Sequence, residues 1–346
     1  MWNTFIRKCS VFAVFVTVLS FTGINSQHAF ATSSTALEDD IAQYLSERSG
    51  NYSVTALEIS GSNREVHIRD ETQVDPASIF KLYYAGFALE KIQQGKWKLA
   101  TKLSSNYSVQ TCLRLMISYS DNECAVDIRQ KLGIAHINSR LKSLGLTNSH
   151  VVLNSQGEYL TKHTTTADIA TFLELLQSGE LLNQTQTTLF ISLLKGQVWR
   201  ARISSALPIG TVVGSKSGQL LTNSGMIEGD SAIIFGPEST YILVVIGGSG
   251  ATGAAVRGVS DLVYRSWQGS VTLASNYPSA QMVTSTKTYL RTRPGGSVIR
   301  TLNSGTSLSL YWSERGWLYV KVGARKGYVY QNTVRLSNRY LRWGAL

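Results

Sequence analysis

Three short stretches of the chain carry side chains that could do chemistry together. In the first, Ser78 stands three residues before Lys81, within an apolar run from Asp75 to Ile92 whose only charge between Pro76 and Glu90 is that lysine. In a helix that starts near Pro76 or Ala77 the two side chains share a face and lie within reach of each other. The neighbours Ile79, Phe80, Leu82, Tyr83, Tyr84 and Phe87 offer the amine little water. Desolvation lowers the pKa of a lysine, and a partly neutral lysine can take the proton of a serine hydroxyl. Ser78 would also occupy the first helical turn, where unpaired N–H groups favour developing negative charge. The same spacing fits an ordinary helix cap, so the pair does not decide its own meaning. The second stretch, Ser120-Asp121-Asn122, opens another helical pattern, and the third, Lys216-Ser217-Gly218, lies on a strand-like run.

The elements that must position these groups read as mixed α/β. A helix is predicted over Leu37 to Glu47, followed by two strands, YSVTALEIS and REVHIRD, around the turn-forming GSN. Helical patterns dominate from Ala77 to about Leu194, with clear periodicity in TADIATFLELLQSG. Strands return at TVVGSKSG, DSAIIFG and TYILVVIGG, and ATGAAVRGVSDLVYRSW fits a last helix. Strands from both ends enclosing a helical middle imply one sheet whose halves meet in space. That closure would bring the helix of Ser78 near the strand of Lys216.

The three stretches, SxxK, SDN and KSG, occur in the order of the triple that marks class A β-lactamases and penicillin-binding proteins, with Ser217 in place of the threonine of the third. The chain from about residue 35 to 268 thus resembles the class A β-lactamase-like serine hydrolases. HTTTADIATFLELL and ISSALPIGTVVGSKSGQL extend the likeness. The resemblance implies an antiparallel sheet covered by helices with a helical subdomain. It implies Ser78 as acylating nucleophile, Lys81 as its base and Ser120 as the relay that protonates the leaving nitrogen. Asn122 would hold the acyl-amide, Lys216 and Ser217 would bind the substrate carboxylate, and Gly218 would complete the substrate-binding set. The N–H groups of Ser78 and Gln219 would form the oxyanion hole, where each donor is worth ~3 kcal/mol.

Two departures qualify the substrate. The family's deacylating glutamate precedes a Leu-Asn pair of the omega loop, and in SHVVLN this position is His150, with Glu158 out of register. A histidine could act as base there; a loop histidine without a role is the alternative. The interval from Ser78 to Ser120 is also shorter than in the family, which predicts a more open groove, suited to a peptide stem. The expected activity is therefore acylation by β-lactams or peptidoglycan stem peptides, as β-lactamase or D,D-peptidase, or a penicillin-sensing pseudo-enzyme that acylates and stalls.

Composition sets the surroundings. Arg7 and Lys8, the apolar run CSVFAVFVTVLSF and the small residues AFA ending at Ala31 form the layout of a secretory signal over residues 1–31. The expected mature protein is secreted, wall-associated and not held by a membrane. Cys112 and Cys124 then remain as a pair, either bridged or as two buried thiols. Residues 32–282 hold 20 Lys+Arg against 21 Asp+Glu, whereas residues 283–346 hold 11 against Glu314 alone. The small polar residues of 269–282 read as a linker after a domain at 32–268. Residues 283–337 resemble a small all-β bacterial SH3-like domain, on YLRTRPGGSVIRTLNSGTSLSL, GWLYVKV and GYVY, and 338–346 form a basic tail. Such domains engage peptidoglycan, and the basic excess suits anionic wall polymers; nucleic acid fits the charge but not secretion. His67, His136 and His163 lack ligand spacing, so neither metal nor cofactor is expected.

Overall fold

A computed structural model describes residues 27–208, 211–269, 281–314 and 316–336. The expected signal core, most of the linker and the basic tail fall outside them. The first helix, α1 (Gln27–Ser46), starts ten residues earlier than its apolar periodicity suggests and runs across the expected cleavage position.

Strands β1 (Tyr52–Glu58) and β2 (Glu65–Ile68) form the expected hairpin. A 3₁₀ turn, Ala77–Phe80, leads into α2 (Lys81–Gln93), buried almost all round. Around α2 pack α3 (Val109–Ser118), α4 (Asn122–Leu132) and α5 (Ile134–Ser143). The helical middle is then interrupted by a hairpin, β3 (His150–Leu153) and β4 (Tyr159–His163). Its turn is built by Asn154, whose Oδ1 accepts from the Gln156 and Glu158 N–H groups. Helices α6 (Thr166–Ser178) and α7 (Gln184–Lys195) follow, capped by Thr165 and Asn183.

The chain returns as β5 (Val212–Thr222), β6 (Gly225–Phe235) and β7 (Thr240–Gly247), then closes with α8 (Gly253–Gln268), capped by Thr252. The sheet order is β2-β1-β7-β6-β5, every pair antiparallel, so β1 joins β7 and the two ends of the unit meet as the sequence implied. Alternate residues of the central strands face opposite layers. Ile233, Ile242, Val244 and Ile246 join the apolar cluster around α2, while Ala232, Ile234, Leu243 and Val245 join that beneath α1 and α8. The strand pattern is therefore nearly continuous in apolar residues, as expected for strands covered on both faces.

The described residues from 281 onward form a seven-stranded sheet ordered β10-β9-β13-β12-β11-β8-β14, with one 3₁₀ turn at Gln331–Thr333. Its strands are β8 (Gln281–Thr284), β9 (Thr288–Arg291), β10 (Val298–Leu302), β11 (Ser307–Glu314), β12 (Trp317–Val322), β13 (Arg325–Tyr330) and β14 (Val334–Leu336). One face buries Leu290, Leu308, Leu310, Leu318, Val320 and Val329, and this set runs on into the cluster around α2. Arg114 of α3 donates to the Asn332 Oδ1 at 2.9 Å across the junction. The fold class read from the sequence, a helix-covered antiparallel sheet with a helical subdomain and then a small all-β unit, is the one observed.

Candidate active site

Ser78 lies in the 3₁₀ turn rather than in the α-helix proper, and this tightens its relation to Lys81. Side chains three apart eclipse in 3₁₀ geometry, so both stand over one face at the junction with α2. The turn is entered through Ala77 at φ 48°, with its N–H bound to the Asp75 Oδ1 at 2.7 Å. A left-handed conformation at a non-glycine residue costs energy of order 1 kcal/mol or more and persists where surrounding contacts impose it. Ser120 is the second such residue at the site, at φ 65°.

The Lys81 ammonium position is 5% exposed overall and makes hydrogen bonds to the Ser120 carbonyl at 2.6 Å, the Asn122 Oδ1 at 2.8 Å and the Ser120 Oγ at 3.4 Å. Its pKa is lowered to about 7, chiefly by burial, with Asp121 opposing and Lys162 adding to the fall. Part of the population is thus neutral at physiological pH, as a general base requires. Because the Asn122 oxygen faces Lys81, its NH₂ group is the end that can donate to a substrate carbonyl.

Lys216 is fully buried on β5 and donates to the Ser120 Oγ at 3.0 Å and the Ser217 carbonyl at 2.7 Å. Burial pushes its pKa well below the usual lysine range, and the nearby Lys81 acts in the same direction. The Ser120 hydroxyl therefore stands between two desolvated amines, a position from which it can pass a proton. Asp121 caps α4 through the Cys124 N–H at 3.0 Å. Cys124 is bridged to Cys112 of α3, which settles the alternative left open by the sequence and fixes the Ser120–Asn122 turn between two helices.

Gly218 explains how β5 comes so near the nucleophile. A Cβ at this position would lie 2.6 Å from the Pro76 carbonyl oxygen and 3.2 Å from the Ser78 nitrogen. Because β5 is the edge strand, alternate backbone groups point away from β6 towards Ser78. The Gln219 N–H, one residue beyond that approach, belongs to the segment facing the Ser78 N–H.

Two chambers meet at Ser78, Asn122 and Gln219. The larger, about 440 Å³, contains Ser120 and Ser217 and is walled by Tyr119, Trp199, Arg202, Glu228 and, from β11, Leu310 and Tyr311. The smaller, about 270 Å³, is bounded by Lys81, Tyr84, Tyr159 and Lys162. Arg202 and Glu228 form an ion pair at 2.5 Å, and Gln219 Nε2 donates to the other Glu228 oxygen at 2.9 Å. Beside them Asp230, fully buried, has its pKa raised by burial to about 6. Leu310 and Tyr311 of β11 thus border the same chamber as Ser120 and Ser217.

His150 stands on β3 opposite His163, with ring centroids 5.6 Å apart. Burial and the neighbouring histidine lower its pKa. The hairpin presents Tyr159 and Lys162 to the chamber beside Lys81, and His150 is not among the residues lining either chamber. Among the described residues, Glu228 is the carboxylate lining these chambers, and it is held by Arg202 and Gln219. Sequence reasoning did not single out Tyr119, Lys162, Trp199, Arg202, Glu228 or Asp230. Their only common signal was polarity or aromaticity next to strands already placed at the site.

A sheet with helices on both faces, carrying a buried SxxK pair against an SDN turn and a lysine-bearing edge strand, defines a serine-acylating architecture of the penicillin-recognising class. Residues 36–267 match the model of the beta-lactamase enzyme family, and the chain belongs to that family. Among solved structures it is similar to penicillin-binding protein PBP-A, at 20% identity over 67% of this chain and 95% of that one, with a TM-score of 0.62. It is equally similar to the L158E mutant of PBP-A solved as an acyl-enzyme complex with penicillin G, at 20% identity over 67% and 96%, TM-score 0.61. A class A β-lactamase of the last common ancestor of Gram-negative bacteria matches at 21% identity over 66% of this chain and 99% of that one, TM-score 0.60. No curated protein matches the chain.

Proposed function

We propose that the protein is an exported serine acyl-transferase of the cell wall, acylated at Ser78 by β-lactams or peptidoglycan stem peptides and slow to release the acyl group. The observation that carries this reading is the convergence on Ser120 Oγ of Lys81 at 3.4 Å and Lys216 at 3.0 Å, one 3₁₀ turn from Ser78.

In the acylation step Lys81 in its neutral form takes the Ser78 proton as Oγ bonds to the substrate carbonyl carbon. Charge on the tetrahedral oxygen is met by the N–H groups of Ser78 and Gln219. On collapse the C–N bond breaks, and the leaving nitrogen takes a proton from the Ser120 hydroxyl, which is replenished from Lys81. The net transfer is one proton from Ser78 to the leaving nitrogen. Asn122 orients the acyl side, and Lys216 and Ser217 attract a carboxylate on the leaving side.

Release of the ester needs a group that activates water. The placement of His150 outside both chambers and the pairing of Glu228 with Arg202 favour a long-lived acyl-enzyme, hence a wall peptidase or penicillin sensor over an efficient β-lactamase. The small β unit, SH3-like in sequence and rich in exposed cations, would hold the enzyme on anionic wall polymers.

Time-resolved mass spectrometry with a penicillin tests both halves. A covalent adduct on Ser78, absent in Ser78→Ala and lasting minutes, is the expected result, with the same lifetime in His150→Ala. Labelling of Ser78→Ala would overturn the nucleophile. Rapid turnover lost in His150→Ala would make the histidine the base.

A further inference from the structure

Leu310 and Tyr311 come from the second unit, yet they line the larger chamber together with Ser120 and Ser217. Their place is fixed by the junction. Besides the Arg114 to Asn332 bond, Gly316 at the end of β11 packs against Tyr107, so closely that a Cβ there would meet the Tyr107 hydroxyl at 2.4 Å.

From Tyr311 a row of outward-facing rings crosses the sheet. Tyr311 lies 6.1 Å from Tyr319 of β12, which lies 5.0 Å from Tyr328 of β13. Tyr328 pairs with Arg291 of β9, whose guanidinium sits 5.4 Å from the Tyr289 ring. The Lys326 ammonium stands 4.9 Å from the ring of Tyr311. Neighbouring strands are ~4.8 Å apart, so from Tyr311 at the chamber the rings run across β11, β12 and β13, and Arg291 with Tyr289 continues the surface onto β9. The opposite residues of β12 and β13, Leu318, Val320 and Val329, form the core. Core packing thus accounts for them and leaves the outward tyrosines unexplained, two of which, Tyr289 and Tyr311, are 41% exposed.

Resting on the acyl-transfer reading above, we propose that the Tyr311 row is the subsite for the amine side of the substrate, and that this side is a peptide chain rather than a single amino acid. On that reading the chamber holding Ser120 and Ser217 serves the leaving side, at about 440 Å³ against 270 Å³ for the one beside Lys81. A one-residue leaving group would need only Lys216 and Ser217. A second peptide strand, joined through a side-chain amine and carrying free carboxylates, would lie over the rings and near Lys326 and Arg291. The reaction is then an endopeptidase cleavage: the ester to Ser78 forms, the amide between strands breaks, and the freed amine of the second strand takes the proton originating on Ser78. The reverse step, attack of that amine on the ester, would restore the amide from the same subsite.

The test uses the full chain with Ser78→Ala, which binds without turnover, and two synthetic peptides sharing one acyl part. One ends in a single D-amino acid beyond the target amide. In the other the amide nitrogen is the side-chain amine of a tripeptide with two free carboxylates. Calorimetry should give a dissociation constant at least about tenfold lower for the branched peptide. That preference should fall about five- to tenfold with Tyr311→Ala, the weight of one aromatic contact, and be retained with Tyr311→Phe. Equal binding of the two peptides, no binding of the branched one, or an equal loss for both in Tyr311→Ala would overturn the proposal. Penicillin acylation of the wild type at Ser78 is read separately, so failure here leaves the acyl-transfer reading standing or falling on its own assay.

Discussion

Acylation of Ser78 should follow the titration of Lys81. With burial holding this lysine at about 7, and Lys162 contributing in the same direction, its neutral fraction is about 0.1 near pH 6 and about 0.9 near pH 8. The sign follows from the role: the protonated amine cannot accept the Ser78 proton, so acylation is slow below the pKa, rises through it and levels off above. The expected gain between those two pH values is about tenfold. Stopped-flow mixing with a fluorescent penicillin, extrapolated to saturating reagent, reads the rate constant free of binding changes. Lys162→Met sharpens the test. It removes a cation that depresses Lys81, so the midpoint should move upward and acylation at neutral pH should slow, although Lys162 takes no proton from the substrate. Lys162 also lies 3.4 Å from Asp75, whose carboxylate holds the Ala77 N–H; a lower plateau without a shifted midpoint would report that positioning effect instead. A profile flat across this range, or a midpoint near that of an ordinary lysine, would refute the assignment of Lys81 as base.

Gly218→Ala should reduce acylation by about 10²-fold, the scale of an ångström-sized misplacement at a reacting centre, because the new methyl meets the Pro76 carbonyl at 2.6 Å and must push β5 away from Ser78. The same stopped-flow assay checks it, and a change of less than a few fold would show that β5 does not set the geometry. Replacing Cys112 and Cys124 together by serine opens the loop they close across a separation of 12 residues. This should cost about 3 kcal/mol in urea unfolding.

The sheet and the three catalytic stretches were legible because each depended on local pattern. The segments of β1 and β7 read as strands, and their positions at opposite ends of the unit implied the pairing that closes it. Ser78, Lys81, Ser120 and Lys216 could be named because each sits inside a motif with a chemical reason for its spacing. Arg202 and Glu228 could not: they are 26 residues apart and become a pair only when the segment after α7 folds back on β6. His150 illustrates the opposite error of register. In SHVVLN it occupied the place of a loop carboxylate, but the β-branched Val151 and Val152, followed by an Asn-centred turn, make a hairpin whose cross-strand partner for His150 is His163. Alternation puts Lys162 on the face opposite His150 and His163, and the register shift between Val152 and Leu153 brings Tyr159 onto the Lys162 face, so these two rather than His150 line the chamber.

The short interval between Ser78 and Ser120 illustrates a limit of reading one domain at a time. Taken alone, it removes a wall and predicts an open groove. In the folded chain β11 contributes Leu310 and Tyr311 to the larger chamber, so the shape of the cleft depends also on a junction between segments some two hundred residues apart. This has a mechanistic consequence. A wall carried on the catalytic unit would be indifferent to the second unit, whereas a wall made of Leu310 and Tyr311 is present only while the β unit is docked through Arg114, Asn332 and Gly316. Under the proposals above, a polymer drawn to the cationic β unit would meet the same surface that borders the chamber, and undocking that unit would remove Tyr311 from the site; a variant that breaks the Arg114–Asn332 bond should therefore lower the preference for the branched peptide in the calorimetric assay as Tyr311→Ala does.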